Sequence, residues 1–369
     1  MQKNRYLSLL NSIKNNSKVE LIIYSEGVSY YPHFYTIIEN LIESKISFNY
    51  YTSEINDHCF KDPKLVSRSF YIGKGITRLL FFALLDCKIL LMSMPDLDNF
   101  HIKRSNKNVH YIYVQHSLIS MHMAYNKSAF NNFDTIFCST NYHIKEITEI
   151  EKLYNLKIKN KLKHGYGKID FLRKHYKLND YNNNQVLIAP SWHKGSLIDH
   201  IDVIIDNLLL NNFKIIFRPH NETINRSRKT ISKIILKYNN FKNFNFDNHL
   251  NNNSIIKSEF LITDWSGIAY EYAFCTLKPI LFVNTQKKIN NNNYKNINLV
   301  PFEISSRKQI GKDINLDEIN IINKYLLNLK LQSEYYKKEI IKIRDANIYN
   351  IDKSGKVAVK YINKILYNE

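Results

Sequence analysis

The chain has 369 residues and a mass of 43.8 kDa, too long for one small core and suited to two domains of ordinary size. Lys and Arg number 52 against 33 Asp and Glu, a net charge of +19; this permits a polyanionic partner or an anionic membrane surface. The charge is permissive only, because Asn, Ile, Lys, Tyr and Phe are abundant together while Gly, Pro and Ala are scarce, a bias that A/T-rich codons produce whatever the function.

In chain order, the start (1–16) lacks a long apolar segment and does not read as a secretory signal. VELIIYS (19–25) reads as a strand, and YPHFYTIIENLIESK (31–45) has the i, i+3, i+4 spacing of a helix packed on it. Between them, Ser25-Glu26-Gly27-Val28-Ser29 is a glycine-containing loop without full Gly-x-Gly-x-x-Gly spacing, equally a plain turn or part of an acceptor side. SFNYYTS (47–53), CKILLMS (87–93), HYIYVQH (110–116) and DTIFCST (134–140) are further strands, with helices predicted over 75–86 and 141–155. The most apolar run, Leu79 to Met94, is broken by Asp86 and Lys88 and falls short of the ~18 to 20 residues of a membrane span; it reads as a buried helix and a strand.

LNDYNNNQ (178–185) is polar and aperiodic and is read as an interdomain linker, which sets domains of 1–180 and 181–369. The pattern then restarts with strands at 185–191, 213–220, 259–265 and 278–284, separated by amphipathic helices. Residues 287–298, rich in Asn, read as a mobile surface loop, and the tail from about Asn315 as helical, its last helix crossing back to the first domain. Alternating strands and helices predict an α/β fold of parallel sheets, two Rossmann-like domains facing each other across a cleft.

In such sheets ligands bind outside the carboxyl ends of the strands. There the chain places Gln115-His116-Ser117, Ser191-Trp192-His193-Lys194-Gly195, Arg218-Pro219-His220 and Asp264-Trp265-Ser266-Gly267. Each has a plain reading when taken alone: a strand-end histidine as a structural hydrogen bonder, Arg218 as a surface ion pair, Ser266-Gly267 as a helix cap. Together, two histidines and an arginine with a helix N-terminus suit an anionic phosphate ligand. Cys59, Cys87, Cys138 and Cys275 are far apart with no Cys-x-x-Cys pair, which argues against a disulfide framework or zinc site and for a reduced, cytoplasmic setting. His122, His164 and His193 show no paired metal-ligand spacing.

Gln115-His116, the block His164-Gly165-Tyr166-Gly167-Lys168-Ile169-Asp170-Phe171-Leu172, Ala189-Pro190-Ser191-Trp192, Arg218-Pro219-His220 and Thr263-Asp264-Trp265-Ser266-Gly267, followed by Glu271 and Lys278-Pro279, stand in a telling order. It resembles that of the CDP-glycerol glycerophosphotransferase family, the teichoic-acid and capsule polymerases. The resemblance runs from about Tyr111 to Val283 and implies a GT-B fold, a CDP-linked donor in the carboxy-terminal domain, an acceptor at the amino-terminal one, and transfer of a polyol phosphate. It implies His116 as general base, His220 as a donor-phosphate contact, Ser266 and Gly267 as the pyrophosphate seat and Glu271 as the acid holding ribose hydroxyls. Three positions depart from the family pattern: Ser117-Leu118 stand for Gly-Thr, Asn221 for a Pro, and Gly267 for a second Ser.

On this reading a neutral imidazole takes the acceptor's proton while N–H and cationic groups stabilise the charge gathering on the leaving CMP. Arg218 joins the donor contacts, Lys194 is a further candidate, and Ser191 and His193 line the same loop. Asp264 is placed among the donor-side residues chiefly to orient the turn. No protein-bound metal is expected, although the donor diphosphate can bring Mg²⁺ from solution. The acceptor is expected to be an anionic polymer or lipid-linked primer at the inner face of the plasma membrane, giving peripheral association without a span. The lysine-bearing tail helices, YYKKEIIKIR among them, are candidates for that surface or simply a solvated face. Two other readings stay open: a GT-B glycosyltransferase using a nucleotide sugar, and a non-catalytic polyanion binder. The latter ranks last because the lysines are dispersed and no nucleic-acid motif appears.

Overall fold

The computed structural model describes residues 19–176, 181–248 and 251–367. Its strands are β1 Leu21–Ser25, β2 Asn49–Thr52, β3 Ser69–Tyr71, β4 Ile89–Met92, β5 His110–Val114, β6 Thr135–Cys138, β7 Asn160–Lys163, β8 Asn182–Ile188, β9 Lys214–Phe217, β10 Phe244–Phe246, β11 Ser258–Thr263, β12 Ile280–Val283 and β13 Gly311–Ile314. The longer helices are α1 Tyr31–Glu43, α2 Ile76–Ala83, α3 Asn141–Leu153, α4 Gly167–His175, α5 Ile201–Leu210, α6 Arg228–Tyr238, α7 Ile268–Thr276, α8 Ile322–Leu331, α9 Ser333–Asn347 and α10 Ser354–Tyr367.

The described chain forms two compact units. The first holds residues up to His116, Tyr125–Phe171 and the chain from Ile348; the second holds Ser117–Ala124 and Leu172–Asn347. The first contains a seven-stranded parallel sheet, β3-β2-β1-β4-β5-β6-β7, and the second a six-stranded one, β10-β9-β8-β11-β12-β13. Both orders reverse beside their first strand, between β1 and β4 and between β8 and β11. That reversal is the topological switch point at which doubly wound sheets hold ligands.

The central strands are wholly buried, as in LIIYS of β1, ILLM of β4 and ILFV of β12, because helices cover both faces of a parallel sheet. α1 carries Pro32 in its first turn, where a missing N–H costs nothing, and turns Phe34, Ile37, Ile38 and Leu41 onto the first sheet. α10 packs beside it through Ala358, Val359 and Ile362. The approach is close: Thr36 and Ser354 hydroxyls lie 3.0 Å apart, and a Cβ at Gly355 would stand 2.1 Å from the Thr36 carbonyl oxygen. The block around His164 fastens this return. Asp170 accepts from the Asp352 N–H (2.8 Å) and the Ser354 N–H (3.2 Å), and Gly165, at φ +107, lies where a Cβ would meet the Tyr349 carbonyl at 2.6 Å. His164 itself is buried against Phe137, and burial lowers its pKa to about 4, so it is neutral and structural.

Sequence expectations are refined at three places. Residues 182–185 are not linker but the start of β8: Gln185 pairs with Lys214, its side chain bonds Ser258 Oγ at 3.0 Å, and the Asn184 N–H meets the buried Glu259 carboxylate at 2.6 Å. Residues 178–180 of the same stretch lie outside the described residues. The segment 287–298 is a surface loop, as expected, but an anchored one: Asn290 and Asn291 N–H groups donate to the Met123 carbonyl, and Lys288, Asn291 and Ile297 are buried while most of their neighbours are exposed. The apolar helix of the first unit, α2, buries Phe81 and Phe82 but leaves Ile76, Leu80 and the following Leu84 exposed. The four cysteines are buried thiols, and burial pushes those of Cys59, Cys87 and Cys138 far up, which makes them unreactive.

Candidate active site

In the first unit β5 ends at Val114 and delivers Gln115, buried, and His116, half-buried, at its carboxyl end. The His116 Nδ1 lies 2.8 Å from the Tyr113 hydroxyl and its Nε2 3.4 Å from that of Tyr125. Rings of Tyr30 and His33 stand edge-on at 5.8 and 6.2 Å. Burial first, and the neighbouring Tyr125 next, push the Tyr113 phenol well above its ordinary range, so it remains a neutral hydroxyl. His33 is held well below its ordinary pKa by burial, with Lys168 and His116 adding to it. His116 therefore sits among neutral aromatic groups fixed by packing, with one ring nitrogen tied to a phenol.

In the second unit the carboxyl ends of β8 and β11 lead into Ala189–Gly195 and Asp264–Gly267. Asp264 is fully buried and binds these loops together: Oδ1 accepts from the Ser191 N–H (2.8 Å) and Oδ2 from the Leu197 N–H (2.9 Å). Its own carbonyl accepts from Arg307 at 2.7 Å. Arg307 is in turn paired with Asp313 at 2.6 Å and lies over the Trp265 ring. Ser191 Oγ and His193 Nδ1 are 2.8 Å apart, and His193 Nε2 meets the Gln286 carbonyl, an acceptor only. The proton of His193 is thereby on Nε2, and the ring locks the loop after β8 to the loop after β12.

α7 begins at Ile268 with Gly267 as its N-cap and no side-chain cap. The N–H groups of Ser266, Gly267 and Ile268 donate to nothing among the described residues, the state in which a helix start accepts an anion. The backbone of Gly267 is ordinary, φ −62. A Cβ there would lie 2.7 Å from Ser117 Oγ, so that hydroxyl would have to turn away to admit a larger residue. Glu271, one turn further along α7, is buried.

His220 caps the short helix Asn221–Arg226: Nδ1 accepts from the Glu222 N–H at 3.1 Å, which puts the proton of a neutral ring on Nε2 as a donor. Its ring lies 6.1 Å from Trp192. The Arg226 guanidinium and the Lys288 ammonium stand over the same indole at 5.0 and 4.6 Å. Of the residues expected to bind phosphate, Arg218 has its Nη1 committed to Asp247 (2.6 Å), the Asn251 carbonyl (2.9 Å) and Ser254 Oγ (3.0 Å), while Lys194 is exposed on its loop. Sequence reading missed Lys288, Arg226 and Arg307. The first sits in a KKINNNN run that has no period and reads as solvated.

Residues 11–356 match the family described as CDP-Glycerol:Poly(glycerophosphate) glycerophosphotransferase. The chain belongs to that family. It is an enzyme that transfers glycerol phosphate from CDP-glycerol to a polymer acceptor. Among solved structures this glycerophosphotransferase is similar to the wall teichoic acid polymerase TagF, at 16% identity, TM-score 0.59, covering 100% of this chain and 99% of that one. It is also similar to a putative UDP-N-acetylglucosamine 2-epimerase from Listeria monocytogenes (12%, 0.60, 95% and 98%) and to the UDP-GlcNAc 2-epimerase of Methanocaldococcus jannaschii (12%, 0.55, 93% and 98%). These likenesses show the fold, two parallel-sheet α/β units of the GT-B class. No curated protein matches the chain. Among the described residues no helix is long and apolar enough to cross a membrane, and no three His, Cys, Asp or Glu side chains are grouped to hold a metal ion.

Proposed function

We propose that the glycerophosphotransferase reaction is carried by His116 as general base and by the β8–β11 edge of the second unit as the donor-diphosphate seat. The observation that carries this reading is the start of α7, where three consecutive N–H groups lack partners at the switch point of a Rossmann sheet. Within the second unit Ser117 abuts Gly267 at that helix start. The acceptor hydroxyl attacks the phosphorus bearing glycerol, its proton passes to His116 Nε2, and the bond to the bridging oxygen breaks as CMP leaves. For Nε2 to accept, Nδ1–H must donate to the Tyr113 oxygen at 2.8 Å, a role that a hydroxyl oxygen can fill.

His220 Nε2–H and the Ser266 and Gly267 N–H groups meet the diphosphate, and Glu271 holds ribose hydroxyls. Asp264, Ser191 and His193 fix the loops, Arg218 holds Asp247, Asn251 and Ser254, and Lys194 reaches the donor from the rim. Any divalent cation enters with the donor diphosphate. The acceptor is an anionic teichoic-acid or capsule polymer or a lipid-linked primer on the cytoplasmic face of the membrane. There the exposed Ile76, Leu80 and Leu84, beside Lys74, supply peripheral contact. The test is CMP release and polymer labelling from CDP-glycerol, with UDP-sugars as controls. His116→Ala and His220→Ala are expected to lower kcat by ~10²–10⁴ with folded protein. Wild-type turnover in either variant removes that residue from the mechanism.

A further inference from the structure

Lys288 lies in the loop after β12 and is 9% exposed. Its ammonium makes no hydrogen bond or ion pair among the described residues and rests 4.6 Å over the Trp192 ring. The other deeply buried cations of this edge are compensated: Arg218 by Asp247, Arg307 by Asp313 and two carbonyl groups. Asp264, Glu303 and Glu222 pull on this ammonium without touching it, and burial outweighs them; a buried ammonium without a contacting partner is expensive, and a cation–π contact returns only part of that cost.

The loop that carries the lysine is held in place. It is pinned on one side by His193 to the Gln286 carbonyl and Trp265 Nε1 to the Thr285 carbonyl (3.2 Å). On the other side the Asn291 side chain donates to the His122 carbonyl at 2.8 Å. Trp192, which carries the ammonium, follows β8 at the switch point and also has His220 and Arg226 close to its ring. Two cations and an Nε2–H imidazole are therefore gathered on one indole, and the most buried of the three has no counter-charge in contact.

We infer that Lys288 is the ammonium that receives the diphosphate of the nucleotide donor, with the Trp192 indole as the platform that holds it in place. The inference rests on the donor seat proposed above and adds its principal cation. The ammonium N–H groups donate to non-bridging phosphate oxygens, and the bound diphosphate supplies the missing negative charge.

The test is calorimetric titration of wild type, Lys288→Met and Lys288→Arg with CDP-glycerol, CDP, inorganic pyrophosphate and cytidine. Met keeps the stem and removes the charge. Lys288→Met is expected to weaken CDP-glycerol and CDP at least tenfold and to leave cytidine unchanged, which also shows an intact nucleoside pocket; Lys288→Arg recovers part of the loss. Binding of CDP-glycerol by Lys288→Met within twofold of wild type overturns the assignment and leaves the donor seat standing. Failure of wild type to bind CDP-glycerol, with pyrophosphate bound in a Lys288-dependent way, overturns the donor identity and supports the lysine.

Discussion

Replacing Lys288 by Met should make the ligand-free protein more stable. Burial, outweighing the opposing pull of Asp264, Glu303 and Glu222, lowers the Lys288 pKa from 10.5 to about 8. At ~1.4 kcal/mol per pH unit this corresponds to about 3 kcal/mol for holding the charged form in the fold at neutral pH. The cation–π contact with Trp192 returns on the order of 1 kcal/mol, and Met retains the packing of the stem. The net expected gain is about 2 kcal/mol, or about 4–8 °C in Tm for a unit of this size.

The pH dependence has a defined sign. Below pH 8 both folded and unfolded states carry the proton and the full cost is present. Between about 8 and 10.5 the unfolded state binds more protons, so wild-type stability rises with pH and the gap to Lys288→Met closes. The protein's two tryptophans, Trp192 and Trp265, both belong to the second unit, so urea unfolding followed by their fluorescence reads that unit alone. Measured at pH 7 and pH 9.5, the difference between variants cancels the tyrosines that titrate in both. A Lys288→Met protein less stable than wild type at pH 7, or a gap unchanged at pH 9.5, refutes the reasoning.

Asp264→Asn leaves one of two buried N–H groups, Ser191 or Leu197, facing an amide donor; a loss of about 3 kcal/mol is expected, and a urea midpoint equivalent to less than 1 kcal/mol of change contradicts it. Gly267→Ser places a Cβ against Ser117 Oγ and should weaken CDP-glycerol binding, with Ser117→Ala in the same chain restoring it. If Gly267→Ser alone binds normally, the close approach does not constrain the seat. Ile76→Ser, Leu80→Ser and Leu84→Ser combined should reduce co-sedimentation with phosphatidylglycerol vesicles several-fold, and unchanged sedimentation removes this face from the membrane contact.

What the sequence made legible follows from burial. Strands buried on both faces, such as β1, β4 and β12, are nearly continuous apolar runs, and each was readable within a few residues. β3, β7, β10 and β13 were not, and these are the four margins of the two sheets. β7 is NKLK with no fully buried residue, and β13 is GKDI. A margin strand is held by backbone pairing to one neighbour, and backbone pairing leaves no hydrophobic signature. The same reasoning explains Asn182–Gln185, whose side chains are polar because Glu259 and Ser258 beside them need hydrogen-bond partners. Ser266-Gly267 and His116 were found because strand-end position and residue type suffice to flag them. Lys288 was not, since its burial depends on Trp192 and on the 122–124 segment, both remote in sequence.

The charged groups at the carboxyl edge of the second unit divide by whether their partners are already supplied. Asp264, Arg218 and Arg307 are deeply buried and each is already bonded to loop backbone or to a carboxylate. Truncating any of them leaves its partner unpaired, so activity lost in such a variant cannot by itself place the residue on the substrate. Lys288 is the reverse case, because removing it leaves no partner behind. A binding defect in Lys288→Met that coincides with increased stability has one physical source, the loss of a charge kept for an anion that arrives from outside the chain. That opposition of signs is what separates a ligand-binding cation from a structural one, and it requires no structure of the complex to observe.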